Sequence, residues 1–230
     1  MIILVGTGHI LDLSSIITDL FNQKKPDLVC IELDKQRYDM LLLKTSNSNQ
    51  LKKERTDFPI LYKLFARFQD KIAKEFGVNA GDEMIAAIKY AESRQIPFEF
   101  IDMNSQELYE KTLQSMSFFE KLKISFIGVL LTFFGWMFIS KKRIDEQLKK
   151  YENEQDESID EMGKSYPTIK KILLDERNDF MAKKLINFNS KYKTIIALVG
   201  DAHVPGISEL LRNSNINFEV KRLKDLQIKD

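Results

Sequence analysis

The sequence predicts an α/β fold: a parallel-type central sheet with a large helical insertion in the middle of the chain. Three observations predict it. Short, continuous apolar runs stopped by glycine or a charge mark strands buried on both faces. The first two runs are joined by a helical pattern in a unit of about 30 residues, the size of a parallel βαβ crossover. Between the outer runs the pattern is mainly helical, so the 230 residues read as one domain, 1–230, with 103–190 as a helical insertion within it.

Taken in order, "MIILV" is a buried strand that breaks at Gly6. "HILDLSSIITDLFNQKK" carries apolar residues at helical spacing and ends on lysines, which suit a helix C-terminus. After Pro26, "DLVCIEL" is a second buried strand. "FPILYKLFARFQDKIAKEFG" has helical periodicity and stops at Gly77, and "GDEMIAAIKYAESRQ" is a helix with acids in its first turn. "PFEFID" is a third short strand, and "SQELYEKTLQSM" a further helix. The charged "KKRIDEQLKKYENEQDESIDEM" reads as a solvated helix or connector. "YPTIKKILLDERNDFMAKKLINF" is amphipathic, "KTIIALVG" a fourth buried strand, and "PGISELLRNS" a helix with proline near its start. "NFEVKRL" alternates as an edge strand does.

Composition narrows the function classes. A net charge of +1 and the lack of a long basic arm argue against nucleic acid as a partner. The single cysteine, Cys30, sits inside an apolar run and reads as a buried, inert thiol. It cannot form an internal disulfide, and no signal peptide is visible ahead of "IILVG", so the expected location is cytoplasmic, with membrane association as the alternative.

The chain has two histidines, and each closes a Leu-Val-Gly-x-x-His phrase: "LVGTGH" ending at His9 and "LVGDAH" ending at His203. Both fall just past the C-terminal end of a buried strand, the edge where open α/β sheets bind ligands. Glycine there permits a positive φ and close approach, so the chain can turn sharply and aim an imidazole at the crevice. If the two strands are neighbours, the histidines can face one another. Two imidazoles suit a borderline transition metal, and a carboxylate commonly completes such a site. Glu32, at the end of the second strand, shares the edge, and Glu83 could arrive from a helix N-terminus. "GTGH" is also a fragment of a dinucleotide fingerprint, but Leu11 stands where the third glycine belongs.

The phrases "VGTGH", "DLVCIELDKQRYDML", "GDEMIAAIKYA", "FIDMNSQELYEKTL", "EKLKISFI", "LLDERNDFMAKKL" and "ALVGDAHVPGI" run through nearly the whole chain. In that order they resemble the TraB (PrgY) proteins, within the wider group of Tiki-like and erythromycin-esterase-like hydrolases. The resemblance implies a core of that kind and a metal site built from the two Gly-x-x-His motifs and a glutamate. His9, His203 and Glu32 match those positions. It further implies a divalent ion of the manganese, cobalt or zinc kind, and hydrolysis or sequestration of a small peptide, either a substrate or a signal. Arg37, Glu83 and the Asp175-Glu176-Arg177 phrase match further family positions. Glu32, Arg37, Glu83 and Arg177 are therefore the candidate catalytic residues. Arg37 and Arg177 would stabilise developing negative charge or fix Glu32 and Asp175 by pairing. Two departures stand out: Met103 replaces the arginine that often follows Asp102, and Ala202 replaces the glycine that often precedes the last histidine, with Asp201 adding an acid beside the site. Relatives of the fold that bind haem imply an alternative, a protein that holds a peptide or haem without chemistry.

"ISFIGVLLTFFGWMFI", Ile124 to Ile139, carries no charge and is shorter than the ~20 residues that usually span a bilayer. One crossing would also separate the two histidines. Ser125, Gly128, Thr132 and Gly135 form a stripe of small residues that lets another helix approach. The expectation is a helix in the core or at a homodimer interface, with membrane-surface contact next.

Overall fold

The computed structural model describes residues 1–7, 14–45, 81–126, 159, 161 and 163–222. His9, the helical pattern over 58–77, nearly all of 124–139 and most of 141–162 lie outside them. The chain divides into two compact units, one of residues 1–105 with 180–230 and the other of residues 106–179.

The first unit holds five strands, β1 (Ile2–Thr7), β2 (Leu28–Ile31), β3 (Phe98–Phe100), β4 (Ile195–Gly200) and β5 (Phe218–Lys221). They form one all-parallel sheet in the order β3-β2-β4-β1-β5. Its helices are α1 (Ser14–Lys24), α2 (Lys35–Thr45), α3 (Asp82–Ser93) and α6 (Val204–Asn213), with the greater part of α5 (Glu176–Asn189). The fold is α/β, as the apolar runs predict.

Alternate strand residues serve opposite faces. Ile3, Val5, Val29, Ile31, Ile196 and Leu198 pack with Ile17 and Phe21 of α1 and Met84 and Ile88 of α3. Ile2, Leu4, Leu28, Cys30, Ile195 and Ala197 pack with Met181 and Leu185 of α5 and Ile207 and Leu211 of α6. Because helices cover both faces, the central strands are apolar at every position instead of every second one. The Cys30 thiol lies in this core, and burial pushes its pKa far up. The outer strands β3 and β5 are only partly buried, and Lys24 of α1 pairs with Glu219 of β5 at 2.7 Å.

Strand order decides how the two strands that precede the histidines are placed. β4 enters the sheet between β1 and β2, so the two Leu-Val-Gly phrases lie side by side in neighbouring parallel strands. They are one residue out of step, with Val5 opposite Leu198, Gly6 opposite Val199 and Thr7 opposite Gly200. After β1 the chain crosses by α1 on one face, and after β4 by α6 on the other. The C-terminal edge between β1 and β4 is therefore a switch point, the place where such sheets open a crevice.

The second unit is helical where it is described. Its elements are most of α4 (Ser105–Ser115), a helix over 118–126, a turn of helix at Pro167–Lys170 and a π-helical segment at Lys171–Asp175 that leads into α5. Ser117 and Glu120 cap the helix over 118–126 reciprocally. The Ser117 amide donates to Glu120 Oε2 at 2.9 Å, and the Glu120 amide donates to Ser117 Oγ at 3.2 Å. The amide and hydroxyl of Thr168 donate to the same carboxylate, each at 2.9 Å. Among the described residues no helix is long and apolar enough to cross a membrane.

Candidate functional site

Glu32 is the first residue past β2, and its amide donates to the Leu198 carbonyl at 2.9 Å, which carries the β2–β4 ladder one step further. The step brings the Glu32 carboxylate to the end of β4. Oε2 accepts the Gly200 amide at 2.5 Å, and Oε1 lies 3.4 Å from His203 Nε2. The two side chains are only 4 % and 6 % exposed, so little water screens the pair. His203 closes the 3₁₀ turn Asp201–His203 that joins β4 to α6, which begins with proline in its first turn.

Of the two described glycines at this edge, neither is left-handed, and Gly6 serves it through close approach. Gly200 has φ −57°, and among the described glycines only Gly81 has a positive φ. The expectation of a positive φ at the second motif is thus corrected. Gly6 is the demanding position. A Cβ there would fall inside the Asp201 carboxylate, 2.9 Å from its Cγ and 3.1 Å from Val204 Cγ2.

Asp201 is held in that place by Arg222, the residue after β5. Nε donates to Oδ1 and Oδ2 at 3.1 and 3.0 Å, and Nη2 donates to Oδ2 at 2.8 Å. Since β1 lies between β4 and β5, this pair must pass over β1, and it passes where β1 has no side chain. The pair fixes the first residue of the turn that delivers His203. Sequence reading noted Asp201 as an acid beside the motif but gave no role to Arg222.

Arg37, in the first turn of α2, is a clamp between strand ends. Nη1 donates to Asp102 Oδ2 at 2.7 Å and Nη2 to the Glu32 carbonyl at 3.0 Å. It therefore fixes the backbone of Glu32, and its charge is spent on Asp102, whose side chain has no exposed surface. The basic partner that Met103 cannot supply to Asp102 comes from Arg37 instead, 65 residues earlier. Asp34 completes the support. One carboxylate oxygen caps α2 through the Gln36 and Arg37 amides at 2.8 and 3.0 Å, and the other accepts the Ser105 amide at 3.2 Å.

Glu83 is buried in the first turn of α3, 2 % exposed, next to Met84 of the core. Arg177 belongs to the second unit, where its Nη1 donates to the Leu173 carbonyl at 3.1 Å. Its neighbours Asp175 and Glu176 pair with Lys170 and Lys111 at 2.9 and 2.6 Å. The structure thus brings together Glu32, His203 and Arg37. His9 lies outside the described residues, two past Thr7, whose strand partner is Gly200.

Two donors on one tetrahedral ion, each about 2.0–2.1 Å from it, stand about 3.4 Å apart. His203 Nε2 and Glu32 Oε1 have that separation. Their donor chemistry, imidazole with carboxylate, suits a first-row divalent ion. Among the described residues no group of three or more such side chains could hold a metal, so a complete ligand set needs a donor from beyond them.

The chain is 27 % identical over 244 residues to an uncharacterized protein of Methanocaldococcus jannaschii, a match that covers 99 % of this chain and 57 % of the relative. The chain thus spans little more than half the length of that curated relative. The model of the TraB/PrgY/gumN family matches residues 1–220, a span that includes both Gly-x-x-His motifs, Glu32 and Arg37. The chain belongs to the TraB/PrgY/gumN family.

Proposed function

We propose that the C-terminal edge of the sheet is a metal-dependent hydrolase site acting on a small peptide. The observation that carries this reading is the buried pair of donors, His203 Nε2 and Glu32 Oε1, 3.4 Å apart at the switch point of a parallel sheet. His9 is the third donor in this proposal, because it follows by two residues the end of β1, which runs beside β4 and ends opposite Gly200. A divalent ion held there would supply a Lewis acid that activates water and polarises a peptide carbonyl.

The protein's own groups account for the rest. The Gly200 amide fixes Oε2 of Glu32, and the remaining oxygen, which faces His203 Nε2, would serve as a ligand or as the base that takes the proton of the attacking water. Arg37 holds the Glu32 backbone still, and Asp201 with Arg222 holds the turn that carries His203. Buried in this way, the donors need little reorganisation when a substrate arrives.

The test is a peptide-library cleavage assay on wild type, His203→Ala and Glu32→Gln, each in manganese, cobalt or zinc. Wild type should cleave with at least one ion, and both variants should lose at least about a hundredfold. Tight retention of peptide without turnover under every ion would make the protein a sequestering one and overturn the hydrolase reading.

A further inference from the structure

The helix over 118–126 has its apolar side outward. Glu120 is 5 % exposed, whereas Phe118, Phe119, Leu122 and Phe126 are 74, 73, 55 and 63 % exposed. Six large apolar side chains are exposed among the described residues, and four of them sit on this helix, so the exposure is concentrated and not scattered. At 3.6 residues per turn these four fall within an arc of about 100°. Lys121 and Lys123, both exposed, stand on either side of that arc. Glu120, the one acid between 117 and 126, is turned inward to Ser117 and Thr168. The outward face is therefore an aromatic wedge between two lysines, with no exposed acid from the same helix.

We propose that this face docks on an anionic lipid surface, with the helix lying in the plane of the interface. Phe118, Phe119, Leu122 and Phe126 enter the boundary between headgroups and acyl chains. Lys121 and Lys123 reach sideways and up to the headgroup phosphates while their stems cover apolar surface. The rings of Phe118 and Phe119 already meet edge to face at 5.9 Å, and the Lys123 ammonium lies 5.9 Å from the Tyr166 ring centre, at the rim of the wedge. Charge decides against a second copy of the chain as the occupant. A two-fold interface would set lysine rims against lysine rims with no exposed acid of the helix to pair them. An anionic surface satisfies the wedge and both rims together.

The experiment is co-sedimentation of the full chain with vesicles of phosphatidylcholine, alone or mixed with phosphatidylglycerol. Wild type should bind the mixed vesicles more strongly and lose that advantage in high salt. Phe118→Ser and Phe126→Ser should each lower partitioning about tenfold on both vesicles. Lys121→Gln and Lys123→Gln should each cost about fivefold on the mixed vesicles only. Failure of wild type to bind either vesicle would overturn the proposal, as would binding that survives the phenylalanine substitutions. Sedimentation velocity supplies the remaining arm: a dimer that dissociates in Phe118→Ser, with no vesicle binding by wild type, would make the face a self-association surface and overturn it as well.

Discussion

Replacing Gly6 by alanine tests the geometry of the site edge most sharply, because two physical arguments give opposite signs. Gly6 lies within β1 and has no positive φ, so strand propensity alone predicts that alanine stabilises by about 0.5–1 kcal/mol. The packing predicts the reverse. The new Cβ would occupy the place of the Asp201 carboxylate and press on Val204 Cγ2 at 3.1 Å. Overpacking of this kind costs about 1–3 kcal/mol. Moving Asp201 also breaks its contacts with Arg222, a pair whose side chains are 8 % and 19 % exposed. The loss of a largely buried pair adds to the cost, reduced because the carboxylate can turn toward water. The net expectation is a destabilisation of about 2–4 kcal/mol, read from urea unfolding followed by circular dichroism. Gly200→Ala is the control. Its nearest contact would be Glu32 Oε2 at 3.4 Å, an ordinary van der Waals distance, so less than about 1 kcal/mol should be lost. Adding Asp201→Ala to Gly6→Ala should recover about 1–3 kcal/mol relative to the sum of the single changes. A neutral or stabilising Gly6→Ala, or a strictly additive double mutant, would refute the reasoning.

Other substitutions address separate parts of the fold. Arg37→Met leaves the fully buried Asp102 carboxylate without its 2.7 Å partner and should cost about 2–3 kcal/mol in the same urea assay, discounted because Arg37 is a quarter exposed; a loss under about 0.5 kcal/mol would make the clamp dispensable. Burial raises the Glu120 pKa, but the Ser117 and Thr168 donors outweigh it and hold the group below the ordinary glutamate range. Its contribution is therefore complete above the unfolded-state pKa and fades as pH falls through the lower folded value. Glu120→Gln should flatten this acid limb in urea midpoints measured against pH, and an unchanged limb would contradict the assignment. Because burial pushes the Cys30 pKa far up, the thiol should resist a disulfide reagent in the native protein and react at the rate of unfolding; rapid labelling without denaturant would show that the strand is open.

How much of this was legible in the sequence depends on the range of the interaction. "IILVG", "DLVCI" and "IIALVG" read as strands because burial on both faces leaves a local signal, an unbroken apolar run. "NFEVKRL" read as an edge strand, and β5 is the outermost strand beyond β1. Glu32 and His203 could be placed because each sits at a strand end, which the runs locate within a residue or two. The insertion of β4 between β1 and β2 and the pairing of β2 with β3 have no local signal, and the support of the site follows from both. Asp201 reaches Arg222 over Gly6, and Arg37 reaches Asp102 across two strand ends, only once the strand order exists. For the same reason Gly6 read as a turn residue, although it is there to leave room for a carboxylate from another strand. The π-helical segment Lys171–Asp175 left no mark on the amphipathic pattern either, since a single wide turn barely shifts the period.

The measurement that bears most directly on the central claim is titration of Co²⁺ into wild type and His203→Ala, followed by visible absorption and by calorimetry. The proposed site predicts one saturable ion per chain in wild type, with the absorption of a nitrogen- and oxygen-bound ion. It also predicts loss of that signal in His203→Ala while the fold persists by circular dichroism. Saturable binding that is equal in the variant, or no saturable binding by the wild-type chain, would contradict it.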